Sequence, residues 1–134
     1  MIVADTNLIA YLLIDGPFTA AAEAVLDADP HWAAPVLWRS ELSNVLTLYV
    51  RNGTVSVEGA VRHFRRALDL VGGNELPVDH AEVLRLAGSS RCSSYDCEFV
   101  LAAREAGVPL VTEDRRLLAT FPQLTVSIQS FASN

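Results

Sequence analysis

Five short apolar runs punctuate the chain, at residues 2–4, 31–34, 75–78, 108–111 and 124–128. The segments between them carry the spacing of amphipathic helices. Strands that alternate with helices pair in parallel, because each helix carries the chain back across a face of the sheet. The pattern predicts an α/β fold with a small central parallel sheet of about four or five strands and helices on both faces.

Local signals set the boundaries. Asp5-Thr6-Asn7 supplies N-cap residues for a first helix, which Gly16-Pro17 ends. An Ala-rich helix over 19–27 closes at the turn Asp29-Pro30. Pro35 suits a first helical turn, so a long helix is expected over 36–51, closed by Asn52-Gly53. Ser56 opens the next helix, to about residue 71, and Gly72-Gly73 ends it. Pro77 makes the run at 75–78 an edge strand. Asp79 caps a helix to 87, Ser93-Ser94 a helix over 95–105 and Thr112-Glu113-Asp114 a short one over 115–119.

The length, 134 residues, suits one domain over 1–134, with no repeat and no low-complexity linker. A hydrophobic share of 51% with 19% charged residues excludes global disorder. Two cysteines cannot build a disulfide scaffold, and Cys92 and Cys97 are expected as reduced packing residues. No apolar run approaches the ~20 residues of a membrane span, and the start lacks the basic stretch of a secretory signal. A cytoplasmic protein without membrane partners is expected. All ten basic residues are Arg, which removes Schiff-base and P-loop lysine chemistry. A net charge of −6 opposes nucleic-acid binding unless bound cations invert the local sign.

Four acids sit at unusual places. Asp5 follows the first strand and Asp114 lies three residues after Val111, both where ligands bind in open α/β sheets. Glu41 shares a helix face with Leu37, Trp38, Val45 and Leu48, and Asp96 with Phe99, Val100 and Ala103. Each has a bland role available. Asp5 and Asp114 suit N-caps, Asp96 complements a helix dipole, and Glu41 has Arg39 or Arg91 as ion-pair partners. Their conjunction is harder to dismiss. Two charges ~5 Å apart cost roughly 3 kcal/mol at an effective dielectric of 20. Convergence of all four would cost roughly 20 kcal/mol, above a typical domain's stability. Protons or cations must relieve that. Hard oxygen donors select Mg²⁺ or Mn²⁺, which bind phosphate oxygens and acidify water. The implied reaction is phosphodiester hydrolysis.

These residues resemble a known family. Asp5-Thr6-Asn7, Ser40-Glu41-Leu42-Ser43-Asn44-Val45-Leu46, Tyr95-Asp96 and Leu110-Val111-Thr112-Glu113-Asp114 look like the four acidic motifs of PIN-domain ribonucleases. Order, spacing and length are most similar to VapC toxins of bacterial type II toxin–antitoxin pairs. The resemblance implies an endoribonuclease in which Asp5, Glu41, Asp96 and Asp114 are catalytic and hold one or two Mg²⁺, with Mn²⁺ as a substitute. It implies that Thr112 orients Asp114 or a water, and that Asn7 bonds an acid or a phosphate. Arg115 and Arg116 stand where the family often has basic residues and suit phosphate contact. Glu113 stands where the family often has a neutral residue, as a solvated neighbour or an outer ligand.

The resemblance also implies an RNA substrate, a cognate antitoxin, and a homodimer or toxin–antitoxin hetero-oligomer. An antitoxin tail would run between the first helices and the helix at 36–51. A basic side chain of that tail would enter the acidic pocket, and exposed Tyr11, Phe18 or Leu46 would line the rest. Arg62, Arg65 and Arg66 share a helix face, for RNA, a partner or solvent alone. His31, His63 and His80 show no metal spacing, and Trp32, Trp38 and Phe99 are expected in the core. Two other functions compete. A PIN-fold interaction or RNA-binding module without cleavage gains nothing from four repelling acids. A receiver-type phosphoacceptor domain wants a Lys beside its Asp.

Overall fold

A computed structural model describes residues 1–133. The elements in order are β1 (Ile2–Ala4), α1 (Thr6–Leu13), α2 (Thr19–Ala28), β2 (Trp32–Pro35), α3 (Trp38–Arg51) and α4 (Val57–Val71). A 3₁₀ turn, Gly72–Asn74, then leads to β3 (Glu75–Leu76), α5 (His80–Ser89) and α6 (Ser94–Ala106). The chain continues with β4 (Leu110–Val111), α7 (Arg115–Thr120), β5 (Thr125–Val126) and α8 (Ile128–Ser133).

All five strands are parallel, in the order β3-β2-β1-β4-β5. β3 is an edge, as expected, but it stops at Leu76, before Pro77. The chain steps outward from β1 through β2 to β3, then returns across to β4 and β5. Right-handed crossovers in opposite directions place their helices on opposite faces. Helices α1 to α4 therefore share one face, where α1 packs on α2, α3 and α4. α6 covers the other face against β1, β2 and β4, with α5 packed on it. The reversal happens between β1 and β4, so the crevice beyond their carboxyl ends lies between the two helix layers.

The central strands are buried throughout, as continuous apolar runs demand. Trp32, Trp38 and Phe99 are core residues, and Trp38 stacks on Phe64 with centroids 5.4 Å apart. Glu75 anchors the start of α3 to β3. It accepts from Trp38 Nε1 at 2.9 Å and from Arg39 Nε and Nη2 at 2.8 and 2.7 Å. These bonds hold its carboxyl below the usual range. Arg39 is thereby committed and is not the partner of Glu41.

Three local expectations are corrected. Pro35 ends β2 instead of opening a helix, since its ring sits at the last strand position before the turn into α3. The strand at 124–128 stops at Val126, and Ile128 starts α8 because its N–H is taken by Glu113 at 2.6 Å. Glu113 is exposed, as a solvated neighbour would be, and its carboxylate is also the partner of α8's first amide. Leu46 is 3% exposed, because it faces the core from α3. Both cysteines are free and buried, as expected of packing residues.

Ser93 Oγ accepts from the Asp96 N–H at 3.0 Å, so Ser93 is the cap of α6 and Ser94 its first helical residue. Ser93→Ala is expected to cost about 1 kcal/mol of unfolding free energy. Ser94→Ala should change it by no more than a few tenths, since Ala is the better helix former. Urea unfolding followed by circular dichroism distinguishes the two.

Candidate active site

Asp5 belongs to the sheet and to a helix at once. Its N–H donates to Val111 O at 3.2 Å, extending β1 along β4, and its C=O accepts from Ile9 at 3.3 Å, opening α1. Its side chain makes no N-cap bond. Instead Thr112 Oγ1 donates to Asp5 Oδ2 at 2.6 Å. The same Oγ1 accepts from the Asp114 N–H at 3.0 Å. Thr112 is fully buried and its hydroxyl has no water to fall back on, so both bonds hold the loop after β4 against the end of β1.

Thr112 therefore orients the Asp5 carboxylate by its hydroxyl and positions Asp114 through that residue's backbone amide. The Asp114 carboxylate caps α7 by accepting from the Leu117 N–H at 3.0 Å through Oδ1.

Glu41 leans from α3 toward the start of α1. It accepts from Thr6 Oγ1 at 2.7 Å. Thr6 is 4% exposed and went unweighed in the sequence, although it stands next to Asp5. Asn7, expected to bond an acid or a phosphate, is exposed. The helix turns its neighbour inward instead. Two threonines thus each hold one carboxylate by one oxygen, and each carboxylate keeps a second.

Electrostatics ties the acids together. Burial, opposed by the Thr112 hydroxyl and the Thr6 amide, raises the Asp5 carboxyl above its usual range, with the Asp96 and Asp114 charges adding to the rise. Burial likewise raises Glu41 against the Thr6 hydroxyl, with Asp5, Asp96 and Glu98 contributing. Asp96 is raised by burial and then by Asp114, and lowered by its Ser93 bond and by Arg116. Every pairing of the four sequence candidates except Glu41 with Asp114 is therefore felt in these shifts. Glu98 joins them from α6, an acid the sequence analysis missed though it lies two residues beyond Asp96. Arg116 is the cation that faces Asp96, and its Nη1 reaches Arg91 O at 3.4 Å. Arg115 is exposed.

The donor set is all oxygen, partly dry and nearly without compensating cations. That suits a hard divalent ion. Among the described residues, no three His, Cys, Asp or Glu side chains already form a metal cage. Mg²⁺ needs none, because it keeps several waters and takes one or two carboxylates with substrate phosphates.

A PIN domain family model matches residues 2–121. Over 80 residues the chain is 38% identical to a Pyrobaculum aerophilum protein named Exonuclease VapC9, and the match spans 59% of each. Three solved structures share the fold. PAE2754 from Pyrobaculum aerophilum has a TM-score of 0.76 at 25% identity, over 98% of this chain and 91% of that one. A toxin–antitoxin complex from Klebsiella pneumoniae gives 0.70 and FitAcB from Neisseria gonorrhoeae gives 0.69. Both are 20% identical and cover 96% of this chain and 98% of theirs.

A carboxyl whose folded pKa is raised takes up its proton more readily in the fold than in the unfolded chain. Its contribution is complete at low pH and is lost as pH rises through the folded value. Asp5, Glu41 and Asp96 all have this sign. Metal-free protein should lose stability as pH rises from about 4 toward neutrality through these groups. Asp5→Asn should raise the melting temperature at pH 7, and the gain should shrink below about pH 4. Melting curves of both proteins in chelator across that range check the sign.

Proposed function

Because this chain belongs to the PIN domain family, we propose that it is a divalent-metal-dependent endoribonuclease, the toxin of a type II toxin–antitoxin pair. The observation that carries the proposal is the pair of threonine-held carboxylates, Asp5 and Glu41, at the sheet's crossover crevice with Asp96 and Asp114 in their field. A scaffold would gain nothing from holding such groups together. The relative named an exonuclease supports the nuclease part of this reading, and the toxin–antitoxin complex among the structural neighbours supports the antitoxin part.

Asp5 and Asp96 are assigned as the principal ligands of Mg²⁺ or Mn²⁺, with Glu41 and Asp114 completing the carboxylate ring. When bound, such an ion neutralises the cluster, polarises phosphate oxygens and acidifies water. Thr112 and Thr6 hold Asp5 and Glu41 in fixed rotamers, so little ordering remains when RNA arrives. Their bonds also stabilise the charged carboxylates, which burial alone would protonate. A carboxylate kept charged beside the scissile phosphate accepts the proton of the attacking water. Arg115 and Arg116 contact phosphate oxygens and reduce the repulsion between RNA and the acids.

The cognate antitoxin would bring a basic side chain to the acids and apolar side chains to the surrounding helices. An apolar groove of about 550 Å³ runs between α3 and α4, lined by Leu46, Val50, Val57, Val61 and Phe64. It gives such a partner apolar surface on the α1–α4 face.

Purified protein with a single-stranded RNA and Mg²⁺ should yield internal cuts, which EDTA stops and Mn²⁺ restores. Asp5→Asn and Asp96→Asn should each lower the rate by roughly 100-fold or more. Wild-type rates in either variant, or cutting that survives EDTA, would contradict the proposal. Co-expression with the product of the adjoining reading frame should suppress the cutting.

A further inference from the structure

Among the described residues, two aromatic side chains stand largely in solvent, Phe18 at 46% and Tyr95 at 61% exposure. Tyr95 is next to one of the acids in the chain, and Phe18 is linked to another through Tyr11. Tyr95 directly precedes Asp96 in the first turn of α6. Phe18 lies against Tyr11, with ring centroids 4.7 Å apart and planes 28° from parallel. Tyr11 sits one turn after Asn7 on the outward strip of α1, the helix that Asp5 opens. Its phenol is within the fields of Asp5 and Glu113.

α1 and α6 cover opposite faces of the sheet. The acids at the strand ends therefore lie between Tyr95 on one side and the Tyr11–Phe18 pair on the other. An exposed Phe ring backed by a second ring is a preformed flat surface, already ordered by its neighbour. The charge balance says what such surfaces are for. With a net charge of −6 and no Lys, the chain has little general attraction for phosphate. A nucleic acid crossing these acids needs a non-ionic source of affinity. Stacking on aromatic rings supplies one, and it requires bases that are not already stacked in a duplex.

We propose that Tyr95 and the Tyr11-backed Phe18 ring are base-stacking platforms that seat the bases flanking the scissile phosphodiester of a single-stranded RNA. The proposal rests on the ribonuclease reading and adds two specificity residues to it. The rings act through binding and leave the chemistry to the carboxylates.

The test is steady-state cleavage of a single-stranded oligoribonucleotide with Mg²⁺ by the unmutated protein, Phe18→Ala, Tyr95→Ala and the conservative Phe18→Tyr and Tyr95→Phe. Each Ala variant should raise KM roughly 5- to 100-fold with kcat nearly unchanged. The conservative variants should keep the original KM. Removing one base at a time from the substrate should raise the unmutated protein's KM at one position per ring, and the matching Ala variant should be indifferent there. Ala variants with the original KM overturn the proposal while leaving the nuclease intact. So does a result in which they keep the RNA KM and lose only inhibition by a protein partner, because the rings then belong to that partner. An unmutated protein that cuts no RNA overturns the ribonuclease reading, and this proposal with it.

Discussion

Thr112 is wholly buried, so its hydroxyl must find its partners inside the protein, and it finds the Asp5 carboxylate and the Asp114 amide. That bond joins the ends of β1 and β4, the two strands between which the chain reverses direction. The rest of the candidate site is arranged around it. A carboxylate with one oxygen tied to a buried hydroxyl cannot swing out into water. Its neighbours must then tolerate its charge or share its protons. Burial first, and the charges of neighbouring acids after it, raise the carboxyls of Asp5, Glu41 and Asp96.

The fold creates the conflict and confines it. Parallel strands in the order β3-β2-β1-β4-β5 send their carboxyl ends to one edge. Helix α3, anchored by the Glu75 bonds to Trp38 and Arg39, brings Glu41 to that edge. Helix α6, capped by Ser93, brings Asp96 from the other face. The anchoring bonds are themselves charge-assisted and well satisfied. The repulsion is therefore local to the crevice, where a divalent ion would relieve it.

Much of this was legible in the sequence because it is local. Buried strands are continuous apolar runs, Ser56, Asp79 and Ser93 sit where caps belong, and an acid on an apolar helix face stands out. Pro35 was misplaced because proline is equally at home in a first helical turn and at a strand's end. Thr112 stood out in the sequence, but its bond to Asp5 and the part of Thr6 were not legible. Thr6 lies 35 residues from Glu41, and Thr112 lies 107 residues from Asp5. Only the strand order brings them together. The start of α8 depends in the same way on Glu113, which is 15 residues earlier in the chain.

The account makes the acids a cost to the metal-free fold and the binding site of its ion. The most direct test is the melting temperature of chelator-treated protein at pH 7, titrated with Mg²⁺. An ion bound only by the folded cluster stabilises it by mass action. The unmutated protein should therefore melt progressively higher as Mg²⁺ rises, while the Asp5→Asn, Asp96→Asn double variant should start higher and stay there. A melting temperature indifferent to Mg²⁺, or one that rises equally in the double variant, would contradict the assignment of these carboxylates as the metal site.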